Sequence, residues 1–454
     1  MRHWKFLALA AALLLPSALP AQTSAPAVTA FVHVNVLPMD SDRVLRDQTV
    51  IVTGDSISAI GPTIAVPAGA TVIDGHRSAF LSPGLADMHV HSDSRNDLAV
   101  YLAHGVTTVL HMGGARAGFV DTVVPEANAG KIPSPHVYTG FLVDGTPAYN
   151  GFVIKTPAEA RAIVGLAKTN GYDFIKVYVG LTPDVYAALA DEAKLQHIPL
   201  VGHGVYAVRI DKQLAAGQVM IAHSEEFFYS YFTPPGVEES DTPPATARIA
   251  DAVRLVRQYD ATVTADPLTF GTITALFGHP EALEPIMARP EIAWLSPQDR
   301  LAWRNSGYFN KTAKLQAKFA FLQQMVKAMA DADVRLIAGT DAPTIPGLFP
   351  GLSMHDELDA LEAAGLSRFK ALTAATSAPG DFIQRTKGGK PFGQVAVGQR
   401  ADLILSNANP LDGLQTLRKP VGVMAAGKWR DAAGLKKLLD DVRSAYDSVS
   451  PPHP

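Results

Sequence analysis

Between residues 81 and 342 the chain repeats one pattern, and that repetition limits the available folds more than any other feature. Apolar, β-rich runs lie at about 81–91, 107–112, 136–140, 174–179, 199–204, 220–225, 261–268 and 336–342. Most are separated by stretches with helical patterning, such as "TPAEARAIVGLAKTNG" (156–171) and "TPDVYAALADEAKLQHI" (182–198). In these two, Thr156 and Thr182 each precede a proline and nearby acids, an N-terminal helix signature. Eight strands alternating with helices predict an α/β fold, a parallel (β/α)₈ TIM-type barrel. An open doubly wound sheet would want a glycine-rich phosphate turn after its first strand, and "ADMHVHSDSR" is not one.

The barrel reading has a chemical consequence, because every parallel strand delivers its C-terminus to the same rim. The first strand ends in "DMHVH" (His89, His91), the fourth in "FIKVYV" (Lys176) and the fifth in "LVGHG" (His203). The sixth ends in "IAHSEE" (His223) and the eighth in "IAGTDAP" (Asp341). His89 and His91 share a face because side-chain direction in a strand repeats every second residue. Cysteine is absent, which excludes thiolate ligands, disulfides, a lipoprotein anchor and a cysteine nucleophile. Four imidazoles and a carboxylate suit zinc or a similar divalent ion. A protonated Lys176 beside such an ion would be repelled, so its pKa must fall. A neutral amine there can take up carbon dioxide as a carbamate, an anion whose two oxygens can bridge two metals.

Other residues carry weaker signals. His111 ends the second strand and Tyr178 shares the face of Lys176; both are candidate substrate-binding groups, with core packing as the plain alternative. His136 and His355 are at best indirect supports. Arg209, Arg300 and Arg304 could grip a substrate carboxylate, or simply form surface ion pairs. Two long stretches after the sixth and seventh strands (224–247 and 269–307) are rich in Phe, Tyr and Trp, and their place on the catalytic face predicts lids.

Outside the barrel, residues 22–81 and 386–432 have a short-strand texture, predicting a small β-sandwich domain built from both chain ends. The barrel would span 82–385, and 433–454 would be a C-terminal helix and tail. At the N-terminus, Arg2, His3 and Lys5 precede the apolar "FLALAAALLLPSALPA", which predicts a signal peptide over 1–21, cleaved after Ala21. The expectation is an exported protein, periplasmic in a Gram-negative source and otherwise secreted, with no stable membrane span after cleavage. Lys and Arg number 39 against 43 Asp and Glu, a net charge of −4 that offers nothing to nucleic acid.

The joined motifs, with the closing "GLSMHDELDALEAAGLSRFKALTAATSAP" and "FGQVAVGQRADLILSNANPLDG", resemble the amidohydrolase superfamily, in its imidazolonepropionase-like and prolidase-like branch. The resemblance runs from about 28 to 432. It implies a binuclear centre, most simply of Zn2+. His89, His91 and Asp341 with Lys176 would hold one metal, and N6-carboxylated Lys176 with His203 and His223 the other. It implies hydrolysis of a C–N bond by a metal-bridging hydroxide, with Asp341 as ligand and proton shuttle. The expected substrate is a small-molecule amide, an N-acyl amino acid or a dipeptide. A cyclic amidase, a lactonase or esterase, and a non-catalytic zinc- or ligand-binding protein stand as alternatives. A homo-oligomer is compatible with the sequence.

Overall fold

The computed structural model describes residues 26–149 and 151–448. The expected signal peptide (1–21) and the end of the expected tail (449–454) lie outside the described residues. The central unit is a ring of parallel strands: β1 (Leu85–Val90), β2 (Val106–His111), β3 (His136–Asp144), β4 (Phe174–Val177), β5 (Leu200–Gly202), β6 (Met220–Ile221), β7 (Thr262–Thr264) and β8 (Arg335–Ile337). They pair in sequence order. The ring closes where the Met88 amide donates to the Ala338 carbonyl at 2.9 Å and the Asp341 amide to the His89 carbonyl at 2.8 Å. An open doubly wound sheet has no such closing contact.

Side chains alternate across the strands as the pleat requires. On β4, Ile175 and Val177 join the outer core with Val164 of the helix Pro157–Thr169 and Leu189 of the helix Pro183–Leu195. Phe174 belongs instead to the cluster with Met88, Leu110, Val201 and Ile337, and Lys176 takes the same side of the strand as Phe174. Thr156 caps its helix through a full capping box with Glu159. Thr182 stands at the other predicted N-terminus without a side-chain cap, because its hydroxyl bonds Asp184 at 2.5 Å instead.

Strands from the two chain ends form one separate mixed sheet. In it Phe80–Pro83 pairs antiparallel with Leu403–Ser406 and parallel with Val28–Val36. Its own core includes Phe31, Val50, Leu81, Leu403 and Met424. The C-terminal helix Ala432–Asp447 packs against the helix Arg95–Ala103 through Val100, Leu439 and Val442.

The two expected lids differ from a loop reading. The stretch after β7 is mostly helical, with Pro267–Leu276, Leu283–Met287 and Pro297–Arg304. Trp303 pins it beneath the rim by donating from Nε1 to the Pro343 carbonyl at 2.7 Å. After β6, Phe227, Phe228 and Phe232 are buried in the main core, and none of them lines the cavity that holds His91 and Asp341.

Candidate active site

The predicted strand ends do converge. His89 Nε2 lies 3.3 Å from His91 Nε2 and 3.5 Å from Lys176 Nζ. Asp341 Oδ1 lies 3.5 Å from His89 Nε2 and 3.1 Å from His91 Nε2. The His223 ring stacks beside His89, with centroids 4.2 Å apart, and His203 stands 4.9 Å from His223.

Two glycines make this approach possible. A Cβ at Gly339 would fall 2.7 Å from the Cβ of His89, so only glycine lets the chain after β8 lie against β1 there. Gly202 has φ +128° and lies against the Lys176 stem; a Cβ would sit 2.9 Å from Cδ of the lysine. His223 (φ 71°) and Asp341 (φ 57°) occupy the left-handed region, which bulky side chains rarely adopt. Such backbone persists only where the surroundings hold it, and it gathers at working sites.

The outer nitrogens fix the imidazoles. Nδ1 of His91 donates to the Gly113 carbonyl at 2.9 Å, and Nδ1 of His203 donates to Glu226 Oε1 at 2.5 Å. His223 Nδ1 donates to Asp266. In each ring the partner at Nδ1 settles the tautomer and turns Nε2 away from that partner. His91, as a neutral imidazole, therefore presents its Nε2 lone pair to His89 Nε2 and to the Asp341 carboxylate. That arrangement calls for protons or a cation between them, and imidazole with carboxylate is a donor set for a divalent ion. The buried His89 Nδ1 has no hydrogen-bond partner among the described residues, so all its polar contacts are at Nε2. The residues fit a metal centre.

Charge states agree with that fit, with one tension. Burial, reinforced by Lys176, holds His89 well below the usual imidazole range, and burial does the same for His203. Burial pulls Lys176 down to about 8, against Asp341, Glu226 and Asp266, which favour its charge. Burial works against ionised Asp341, yet the hydrogen bond and charge of His91 keep it below the ordinary carboxylate range. His223 runs the other way. Burial disfavours its charge, but Asp266 and Glu225 raise it to about 10, so without a metal this ring keeps a second proton that a metal at Nε2 would displace.

Above these groups opens a cavity of about 490 Å³, lined by His91, His203, His223, Asp341 and a set of tyrosines. Tyr178 lines it, stacked between Tyr149 and His203 at centroid distances of 4.2 and 4.0 Å. The other weak candidates fall elsewhere. His111 is buried beside His91 and does not line the cavity; its Nδ1 accepts from the Gly113 amide at 3.1 Å. His136 begins β3, at the end of the barrel away from the cavity, and its ring lies tilted against Tyr138, with centroids 4.8 Å apart. His355 donates to the His104 carbonyl on the outer helices. Arg209 binds the Thr233 and Tyr231 carbonyls, Arg300 the Leu295 and Ala293 carbonyls, and Arg304 the Glu284 carboxylate. All three are tied into local structure, and none lines the cavity.

A solved structure of a bottromycin amidohydrolase superposes with a TM-score of 0.72, covering 93% of this chain and 91% of that one at 24% identity. The chain has the amidohydrolase fold. A Xaa-Pro dipeptidase, solved with methionine bound in its active site, gives a TM-score of 0.65 over 89% of this chain and 100% of that one, at 19% identity. In sequence, the ochratoxinase of Aspergillus niger is 23% identical, aligned over 90% of this chain and 88% of its own length. No protein-family model matches the chain.

Within this amidohydrolase fold the structure adds residues that the sequence reading passed over. Asp266 follows β7, the one late strand whose end had been given no role, and it stood in plain view in "TADP". Glu226 stood beside His223 in "HSEE" without a role. Asp87, two residues before His89, accepts from the Thr340 hydroxyl at 2.7 Å and its amide at 3.1 Å, tying β1 to the segment that carries Asp341.

Proposed function

We propose that the chain is an exported, metal-dependent hydrolase of amide C–N bonds, acting on N-acyl amino acids or dipeptides. The observation that carries this reading is the convergence of four imidazoles, Lys176 and Asp341 from separate strand ends beneath one tyrosine-lined cavity. Similarity to proteins named amidohydrolase, Xaa-Pro dipeptidase and ochratoxinase supports it.

His89, His91 and Asp341 with Lys176 would hold one divalent ion, and Lys176 with His203 and His223 the second. Zn2+ suits this donor set. When bound, the ions supply Lewis-acid activation of water and of the scissile carbonyl at neutral pH. The remaining work belongs to the chain. Burial draws Lys176 toward its neutral amine, the form that would combine with carbon dioxide to give an anionic carbamate able to hold metal. Asp341, held ionised, accepts the proton of the attacking water and returns it to the departing nitrogen. Oδ1 faces both imidazoles of β1, which leaves Oδ2 for that transfer. Tyr178 keeps its phenolic proton because burial raises its pKa, so it can donate to the oxyanion that develops on the carbonyl.

The wall of the cavity includes no arginine among the described residues. A substrate carboxylate would therefore meet tyrosine hydroxyls, with neutral or aromatic groups filling the rest. The expectation of export rests on the N-terminal 21 residues.

The test is metal analysis of the purified chain together with turnover of an N-acyl amino acid and dipeptide panel. About two divalent ions per chain and measurable hydrolysis are expected. Asp341→Asn should lower kcat/KM by roughly 10²–10⁴-fold, as loss of a proton-transfer group does. Bound metal with no turnover of any amide would identify a binding protein instead.

A further inference from the structure

The catalytic cavity does not end at its tyrosines. Tyr206 and Tyr229 also wall a second chamber of about 270 Å³, closed on its other side by Pro234, Pro235, Val237 and Glu239. The two rings meet edge to face, with centroids 6.4 Å apart, and form the partition between the chambers. Tyr206 is 49% exposed and Val237 57% exposed, a large apolar surface at the mouth of a buried polar site.

This second chamber is built, not incidental. The turn that forms its far side is held at both ends by charged side chains from the scaffold. Arg209 donates to the Tyr231 carbonyl at 2.8 Å and the Thr233 carbonyl at 3.1 Å. Beyond the turn, Glu239 pairs with the buried Lys318, whose ammonium lies 5.2 Å over the Phe228 ring. The Lys314 amide donates to Asp241 at 3.0 Å. Phe228 and Phe232 anchor the base of the turn against Phe321 in the core. Among the described residues Glu239 is the one charged group in the chamber wall, and its carboxylate is paired with Lys318. What remains is two tyrosine rings, a valine and two prolines with Thr233 and Gly236, an uncharged surface for stacking and desolvation rather than for ionic recognition.

We infer that the chamber between Tyr206, Tyr229 and the Pro234–Val237 turn is a second subsite, taking an uncharged aromatic or apolar ring of the same amide whose scissile bond lies at Asp341. The occupant is the distal part of the substrate because the two chambers lie against each other, with Tyr206 and Tyr229 as common walls. A simple dipeptide would leave this subsite unfilled; an amide extended by a ring would fill it. The inference deepens the amide-hydrolase reading and rests on it.

The test uses the full chain loaded with zinc and non-hydrolysable ketomethylene analogues of an N-acyl amino acid. One analogue is short, one carries a phenylpropyl extension on the acyl side, and one carries it on the amine side. Binding is read by calorimetry. One of the two extended analogues is expected to bind roughly tenfold more tightly than the short one, the gain of partly burying one aromatic ring. In Val237→Asp, where a carboxylate enters the chamber from an exposed position, that ratio should fall toward one with the thermal midpoint unchanged. Equal affinity of all three analogues for the unaltered chain, or a ratio that survives Val237→Asp, overturns the subsite. Turnover of the parent amides reads the hydrolase proposal separately: hydrolysis without any gain from extension would remove the subsite and leave the activity.

Discussion

Lys176 is the costliest side chain in the site, an amine with no solvent exposure whose stem needs a glycine opposite it. Burying a lone ammonium is unfavourable unless it is paired or neutral, and under the proposed reading Lys176 would instead be a carbamate anion paired with bound cations. Lys176→Ala is expected to lose one or both metals and nearly all activity, with partial return in millimolar acetate or propionate. Metal content by mass spectrometry and initial rates check this; full metal and full activity in the variant would remove the lysine from the centre. Asp266 and Glu226 act through the imidazoles they hold. Asp266→Asn keeps the size of the side chain but weakens its hold on His223 Nδ1, and should reduce zinc affinity about 10–100-fold in a chelator competition, with the fold intact. Unchanged affinity would make the pair merely structural.

At the scale of elements, the helix Arg95–Ala103 carries a second buried acid, far from the cavity in role. The Asp97 amide donates to the hydroxyl of the N-cap Ser94 at 3.1 Å, and its carboxylate accepts from the Tyr446 hydroxyl of the C-terminal helix at 3.3 Å. Burial, with the charges of Asp299 and Asp93, pushes its carboxyl up to about 7. A carboxyl raised in the folded state favours folding while protonated, and that contribution fades as pH climbs from the ordinary carboxylate range through 7. Asp97→Asn should therefore match the wild type near pH 4 and be the more stable protein above pH 7. The gain is on the order of 4 kcal/mol at most, for a shift of about three pH units. Denaturant melts at both pH values measure it, and a pH-independent difference would contradict the assignment. The stretch after β7 gives the matching lesson about sequence reading. Its aromatics read as a lid, but Trp303 faces inward on a short helix and donates to the Pro343 carbonyl, a contact that only three-dimensional packing shows.

For the whole molecule, the barrel was legible because its period is local: β-branched runs, helix caps and turn residues repeat within short windows. The six converging side chains were legible for the same reason, since strand ends of a parallel barrel share a rim. The supporting acids were harder to find. Asp87, Glu226 and Asp266 act by facing particular nitrogens and hydroxyls, and no one-dimensional spacing distinguishes them from other rim acids. His111 shows the converse: its strand-end position marked it as a substrate group, yet one hydrogen bond from Gly113 holds its ring beside the cavity rather than in it. The joined sheet was visible as texture at both chain ends, but its pairing of Phe80–Pro83 with Leu403–Ser406 spans more than 300 residues and is settled only by folding. The most direct measurement of the central claim is the rate at which the full chain hydrolyses an N-acyl amino acid before chelation, after exhaustive chelation, and after zinc is restored. The account predicts activity, its loss, and its recovery; a rate that chelation leaves unchanged would contradict it.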